Sequence, residues 1–430
     1  MSTFRMPYDE VRGRVGGMAT VVLIGTLDTK GVEYAWLRDR LRAQGCAVLL
    51  VDTGVLPPPA SAPAADVTAA DVARAAGHDL TRLRAAGDRG AAVAAMAEGA
   101  ECVVRDLHAR GELHAVLAAG GSGGSAIAAR AMRALPIGVP KLLVSTMAGG
   151  DVGPYVGSSD LTLGSSVVDI AGINSVSARV LGNAAAAAAG MARHHEQELA
   201  TPAAPGRTVV AATMFGVTTP AVDAARARLA ELGHEVLVFH ATGAGGRAVE
   251  RLAAEQALDG VLDLTTTELA DELVGGVLSA GPGRLTAAGA ARLPQVVAPG
   301  ALDMVNFGPR ETVPERFTDR TLYVHNPAVT LMRTTAEEMA ALGTELGRKL
   351  AAARGPAEVF WPLRGVSALD APGGPFEDPA ADAAGRSALG AALEGTGVPL
   401  HEVDAHLNDA SFAVAAADRL HQLITVHRKS

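Results

Sequence analysis

Cysteine is nearly missing from this chain. Cys46 and Cys102 are the only two in 430 residues, too few for a disulfide framework or a cysteine-built zinc site. Cys46 opens a predicted strand and Cys102 falls in an Ala-rich helical stretch, so both read as small apolar fillers. Aromatic residues are scarce as well, at 3% against 49% hydrophobic overall. The core must therefore be Ala, Val and Leu, which suits helices packed closely on parallel strands. Basic charge is in deficit, with 37 Lys and Arg against 46 Asp and Glu and a net charge of −9. That balance disfavours nucleic acid and anionic membrane surfaces as partners. The longest Ala-rich run, Asn183 to Met191, is too short to span a bilayer, and MSTFRMPYDEVRGRVGG at the start has no apolar secretory core. A soluble, cytoplasmic protein is expected. Two motifs are also absent: no G-x-x-x-x-G-K-[ST] phosphate loop and no H-E-x-x-H metal spacing occur, so neither P-loop chemistry nor a metal centre is read from spacing.

Glycine, by contrast, is abundant at 49 residues, and its most informative cluster lies in LHAVLAAGGSGGSAIAARAMRALPIGVPKLLVSTMAGGD, residues 113–151. This stretch reads as a strand (113–119), a Gly/Ser loop (Gly120 to Gly124), a helix from Ser125 and a strand (141–146). A second small-residue loop, Ser145 to Asp151, follows. Gly120, Gly121, Gly123 and Gly124 leave room for backbone N–H groups to converge on one anion. The next helix offers its unpaired N–H groups and positive dipole end at the same place. Gly121, Gly123 and Ala126 also satisfy G-x-G-x-x-G/A between a predicted strand and helix, the context that motif requires.

Upstream, Thr20 to Gly25 is a strand, TLDTKG (26–31) a loop, Val32 to Gln44 a helix ended by Gly45, and AVLLVD (47–52) a parallel strand. Helical stretches at about 66–77 and 88–110 follow, and Ser166 to Met191 reads as helical with a break at 172–174. TPAAPGR (201–207) is the clearest linker. Residues 1–18 are read as a disordered leader, 19–200 and 208–430 as two domains. Sliding the chain by 188 positions lays Thr20, Val21, Val22, Leu41, Gly45, Val48 and Leu49 over Thr208, Val209, Val210, Leu229, Gly233, Val236 and Leu237. Strands recur at 260–264, 294–298, 321–325, 357–362 and 398–403, and a helix is expected from Thr335 to Arg354. The fold class expected is α/β: two Rossmann-like, doubly wound parallel-sheet lobes with a cleft between them.

Ligands of such sheets bind beyond the carboxyl ends of the strands. There the first lobe places Thr26, Asp28, Thr29 and Lys30, beside Gly120, Gly121, Ser122, Gly123, Gly124 and Ser125. Lys30 offers a point charge to a phosphate, and Asp28 a helix cap or a ligand to a divalent metal. Ser145, Thr146, Gly149, Gly150 and Asp151 end the neighbouring strand and could hold a second phosphate or a ribose. Asp52 ends strand two, where a dinucleotide fold keeps its ribose-binding acid. Without the glycine fingerprint before it, NAD is only an alternative. In the second lobe, Glu268 follows the hydroxyl-rich run Thr265–Thr267 and His240 ends its strand. Either could act as a general base, or serve as a helix-capping acid and an edge histidine. Asp303, Asn306, His325, Asn326, Asp404, His406, Asn408 and Asp409 complete the polar strand ends.

Long motifs carry a resemblance: GTLDTKG (25–31), GGSGGS (120–125), LPIGVPKLLVSTMAGGD (135–151), YVGSSDLTLGSSVVDIAGIN (155–174), MFGVTTP (214–220), VVAPGALDMVNFG (296–308), HNPAVTLMRTT (325–335), GVSALDAPGGPF (365–376) and HLNDASF (406–412). With them, from about residue 19 to 426, the chain resembles the ATP-binding domain family of the tomato mosaic virus resistance protein and its uncharacterised bacterial, fungal and plant relatives. The resemblance implies two Rossmann-like lobes, a homodimer and ATP binding; it implies no reaction and no antiviral action. Pro57 to Ala65 reads as a lineage-specific loop clear of the motifs. Two functions are expected from this stage. One is a nucleotide-binding protein whose first-lobe Gly/Ser loops hold ATP phosphates. The alternative is an enzyme, a hydrolase or C–C lyase on a small oxygenated acid, using the second lobe's polar strand ends.

Overall fold

The computed structural model describes residues 18–201 and 206–428. Most of the expected leader (1–17) and part of the expected linker (202–205) lie outside the described residues. The chain divides into two compact units between residues 203 and 204, each described by itself below.

The N-terminal unit is built on β1 (Thr20–Gly25), β2 (Ala47–Asp52), β3 (Ala115–Gly120), β4 (Lys141–Ser145) and β5 (Thr162–Ser165). They pair in parallel in the order β2-β1-β3-β4-β5. Alternate residues of a strand face opposite sides of a sheet, so a strand covered by helices on both sides must be apolar throughout. TVVLIG of β1 meets that demand, buried at every position. Val22 and Ile24 face one core with Met96, Val103 and Ile127; Val21 and Leu23 face the other with Leu37, Leu41 and Ala188. The Ala-rich helix Ser177–Ala200 buries Ala184, Ala185, Ala188, Ala189 and Ala192, and its short side chains let it lie close on the sheet.

Three local readings change. The segment expected to be helical from Ser166 becomes so only at Ser177, and β5 precedes it. Between them the backbone takes left-handed values at Val167 (φ 64°) and Gly172 (φ 77°). Asn174 Oδ1 then accepts the Val176 and Ser177 N–H groups at 2.9 Å each and restarts the helix. TLDTKG is not an open loop: the helix Leu27–Ala43 starts inside it and is interrupted only at Lys30 (φ −127°, ψ 22°). The helix after β3 likewise starts at Ser122 rather than Ser125.

The C-terminal unit has six parallel strands: β6 (Val209–Met214), β7 (Glu235–His240), β8 (Gly260–Thr265), β9 (Gln295–Gly300), and, after the inserted strands β10 (Met304–Phe307), β11 (Leu322–Asn326) and β12 (Val329–Arg333), β13 (Ala357–Pro362) and β14 (Leu400–Val403). Their order is β14-β13-β9-β8-β6-β7. The insertion is a separate antiparallel sheet, β10-β12-β11, so the strand expected at 321–325 leaves the parallel sheet. A short apolar run reads the same in either sheet; the two-residue connection from Asn326 to Val329 is what makes it a hairpin. Both units thus reverse winding direction after their second strand, between β1 and β3 and between β6 and β8. Such a reversal opens a crevice at the carboxyl end of a doubly wound sheet.

Candidate functional site

In the N-terminal unit, β1 and β3 pair up to Ile24 and Ala118 and then part. The Tyr34 hydroxyl sits in that split, 2.6 Å from the Ile24 carbonyl and 2.7 Å from that of Ala119, and accepts the Ala119 N–H at 2.9 Å. Its ring lies over Gly25, where a Cβ would come within 1.9 Å of it. Burial pushes the phenol pKa well up, so the hydroxyl keeps its proton.

Above the split, β3 ends at Gly120 and Gly121 takes extended values (φ −79°, ψ −165°) as the N-cap of Ser122–Arg133. The first intrahelical bond is Ser125 N–H to the Gly121 carbonyl, 2.8 Å. The N–H groups of Ser122, Gly123 and Gly124 precede it, and no side chain caps them. No acidic residue lies in that turn. Below, the buried Ser125 Oγ stands 2.6 Å from Ser145 Oγ and donates to the Gly120 carbonyl at 3.2 Å. These two hydroxyls clamp the turn to the end of β4.

Facing it are the hydroxyls of Thr26 and Thr29, 3.1 Å apart, and the carboxylate of Asp28. Asp28 Oδ2 accepts the Val55 and Leu56 N–H groups at 3.0 and 2.9 Å, while Oδ1 has no partner. Between the two motifs lies a cavity of about 550 Å³, lined by Thr26, Asp28, Thr29, Lys30 and Gly120 to Gly124. Nine of the residues singled out in the sequence are therefore gathered on one surface.

The rest have other places. Asp52 is buried and accepts the Leu27 and Gly54 N–H groups at 3.1 and 2.8 Å, anchoring the first helix; burial above all raises its pKa. Ser125 and Ser145 hold the turn from beneath. Thr146 is exposed, 3.8 Å from where a Cβ on Gly121 would stand. Gly149 and Gly150 are exposed, and Asp151 Oδ1 accepts the Gly153 N–H at 3.0 Å. Lys30 lines the cavity, but its ammonium donates to the Ile170 carbonyl.

Sequence reading missed the other wall: Val55 and Leu56, then Leu83, Arg84, Asp88 and Arg89, with Val93 and Ile127 behind. The signal was the run RLRAAGDRG (82–90), two arginines bracketing a glycine and the Asp88 N-cap. The proline-rich loop is not clear of the motifs either. Ala62 packs so closely on Gly31 that a Cβ there would stand 2.8 Å away, and Asp28 holds the loop's start.

In the C-terminal unit, Glu268 is wholly buried. Its Oε1 accepts the Gly243 and Gly246 N–H groups at 2.6 and 3.0 Å, capping the helix Ala244–Ala254, and its Oε2 accepts from Arg284 Nε at 2.6 Å. Arg284, also wholly buried, reaches Asp263 with Nη2 at 2.7 Å. Both Glu268 oxygens thus have structural partners. His240 ends the edge strand β7, exposed, its ring stacked on Phe215 at 5.3 Å. Asp271 accepts two bonds from Asn306, at 2.8 and 2.6 Å, and burial pushes its pKa up to about 7. Among the described residues, no group of three or more His, Cys, Asp or Glu is placed to hold a metal ion, and no helix is long and apolar enough to cross a membrane.

Comparison with known proteins gives relatives that match 93% of the chain. A UPF0261 protein of Clostridium tetani is 46% identical over 400 residues, covering 93% of this chain and 98% of that one. One of Rhizobium meliloti is 47% identical over 400 residues with the same coverage. The tomato ToMV resistance protein Tm-1 is 41% identical over 415 residues; they are 93% of this chain but 55% of that protein. Residues 19–197 match the N-terminal domain of Uncharacterised protein family UPF0261, and residues 207–424 match its C-terminal domain. The chain belongs to the UPF0261 family.

Proposed function

We propose that the N-terminal unit binds a nucleoside triphosphate, ATP, with its phosphates at the first turn of Ser122–Arg133. One observation carries this reading: three unpartnered, glycine-flanked N–H groups open onto a 550 Å³ cavity at the reversal between β1 and β3. A helix N-terminus attracts anions through those donors and its dipole, and the volume lies within the roughly 300–1,000 Å³ of small-molecule sites. The residues present fit the ligand. Arg84 and Arg89 bring positive charge to the wall, and Leu83, Val93 and Ile127 supply an apolar surface for a base. A magnesium ion accompanying the phosphates would draw on Asp28, a carboxylate of the cavity lining.

Calorimetric titration and thermal unfolding with ATP test the proposal. ATP at about 100 times its dissociation constant adds roughly 2.7 kcal/mol of stability. That gain is expected to vanish in Gly121→Val, which puts a branched side chain at the N-cap of that turn. Absence of any ATP response in the native sequence refutes the reading.

A further inference from the structure

Between the helix Thr219–Glu231 and β7 the backbone turns at Gly233, with φ 88°. That turn buries His234, 6% exposed, while its neighbours Gly233 and Glu235 stay exposed. His421, from the C-terminal helix Ala410–His427, faces it. The two imidazoles meet edge-on, ring centroids 5.1 Å apart and planes at 73°, with His234 Nε2 2.8 Å from His421 Nδ1. The other nitrogen of the buried ring, His234 Nδ1, has no partner among the described residues.

The four ring nitrogens limit what this contact tolerates. A hydrogen bond between two of them needs one proton in between, and each neutral imidazole carries one. When His234 Nε2–H donates, His234 Nδ1 keeps a bare lone pair and the proton of His421 sits on its Nε2. A further proton on His234 must go to Nδ1. A further proton on His421 turns its Nδ1 into a donor, so His234 Nε2 has to accept and its own proton moves to Nδ1. Either way, uptake of charge puts an N–H on the one nitrogen that has no acceptor. A buried donor left unmet carries its full desolvation penalty, so the bond between the rings and the added proton exclude each other.

Neighbouring charges are committed elsewhere. Arg228, from Thr219–Glu231, is paired with Glu231 at 3.2 Å and with Asp418 of the C-terminal helix at 2.6 Å. Asp259, ahead of β8, is paired with Arg428 at 2.8 Å and accepts the Val209 N–H at the start of β6. Glu235 and His427 are exposed. Asp, Glu and Arg ordinarily hold their charge between about pH 5 and 8, which leaves the buried imidazole to respond. Burial above all, then His421 and Arg428, holds the His234 pKa below its ordinary value, against the pull of Asp259.

We propose that His234 and His421 form an acid-sensitive latch on the last two turns of the C-terminal helix, fastened while both rings are neutral and opened when the pair takes up a proton. This inference is independent of nucleotide binding in the other unit. Leu420 and Ile424, beside His421 on that helix, are buried, and Ile424 lies so close to Gly260 that a Cβ there would stand 2.7 Å from its Cδ1. The other ties of these turns, Arg228 to Asp418 and Arg428 to Asp259, join partly exposed groups and hold weakly. A histidine whose folded pKa is depressed gives stability that is complete above the ordinary value of about 6.5 and is lost as pH falls through the folded one. The end of the helix therefore loosens in acid and not in base.

Amide hydrogen exchange of the full chain at about pH 7.5 and 5.5, corrected for intrinsic rates, tests the latch. Protection of residues 420–427 is expected to fall about tenfold or more at the lower pH, while that of Ala336–Ala351, a helix of the same unit without histidine, holds within about twofold. In His234→Gln the amide donates to His421 or accepts from it as required, so protection of 420–427 should stay within about twofold at both pH values. NMR titration of the native chain should show the His234 ring protonating below the ordinary imidazole value, in step with the loss of protection. Equal protection of 420–427 at both pH values, an equal loss in Ala336–Ala351 or in His234→Gln, or a His234 that titrates at or above the ordinary value overturns the proposal.

Discussion

Gly124→Ala separates ligand binding from chain geometry in the N-terminal turn. Gly124 is the third residue of Ser122–Arg133, with helical backbone and no positive φ, and a Cβ built on it meets nothing within 4 Å. On propensity alone, Ala in place of a helical Gly stabilises by roughly 0.5–1 kcal/mol. In a unit of this size that raises the unfolding midpoint by about 1–4 °C. A helical Cβ leans toward the N-terminus, over the preceding turn, so the added methyl lies across the approach to the Ser122 and Gly123 N–H groups. Losing one hydrogen bond to a charged phosphate weakens binding by about 1.5–3 kcal/mol, or roughly 10- to 150-fold. Differential scanning fluorimetry of the apo chain and calorimetry with ATP read the two effects separately. The expected result is a more stable protein that binds ATP worse. Gly120→Ala is the contrast: its Cβ would stand 3.2 Å from the Gly124 Cα and 3.3 Å from the Ser125 N, so that variant loses stability before any ligand is added. If Gly124→Ala binds ATP like the native chain, the open glycine serves the turn alone and the phosphate assignment fails.

Other expectations follow from buried polar groups. Tyr34→Phe leaves the Ala119 N–H without its 2.9 Å partner in the split between β1 and β3, and should cost about 1–3 kcal/mol by chemical denaturation. Arg284→Met strands Asp263 and Glu268 in the interior and should cost about 3–5 kcal/mol, against near-native stability if the cluster were solvated. Asp271 has a folded pKa raised by burial to about 7, so its contribution to stability is full below the ordinary Asp range and is lost as pH rises through 7. Asp271→Asn removes that titration, and Asn306, whose Oδ1 is unpartnered, can turn to accept from the new amide. Its unfolding midpoint should fall less than the native one between about pH 6 and 8; an equal fall refutes the assignment.

The parallel sheets were legible because their inner strands are largely apolar and alternate with helices; TVVLIG and AVLLVD admit no half-exposed reading. The cavity's two motifs were legible because strand ends in such sheets converge whatever the sequence distance. Its other wall was not. Leu83, Arg84 and Arg89 stand on helices whose packing against the sheet is set by side-chain fit, which no spacing rule encodes. The antiparallel insertion was hidden for a different reason. β10 and β12 are buried like core strands, so neither periodicity nor composition marks them as a separate sheet. Glu268 kept two readings, base or helix cap, because a carboxylate at a strand end suits either until its partner, Arg284, is placed sixteen residues on.

Compared with each other, the two reversal points differ in the charge that their own residues supply. By topology β8 corresponds to β3, and the helix Thr267–Val274 to Ser122–Arg133. Counting from the strand ends at Thr265 and Gly120, Glu268 takes the place of Gly123. Where the C-terminal unit has a carboxylate in the first turn of that helix, fixed by buried Arg284, the N-terminal unit has a glycine and no acid. A helix start attracts negative charge wherever it can be had. In the C-terminal unit Glu268 meets that demand at the start of a neighbouring helix, Ala244–Ala254, and is held there by an ion pair with Arg284. The N-terminal unit, with the same strand order, leaves it unmet beside a 550 Å³ cavity, so the anion has to arrive from outside. Writing the C-terminal solution into the N-terminal unit, as Gly123→Glu, should therefore abolish ATP-induced stabilisation without unfolding the chain, since the nearest atom to a Cβ at Gly123 is 3.9 Å away. Retained ATP binding in that variant would break the correspondence.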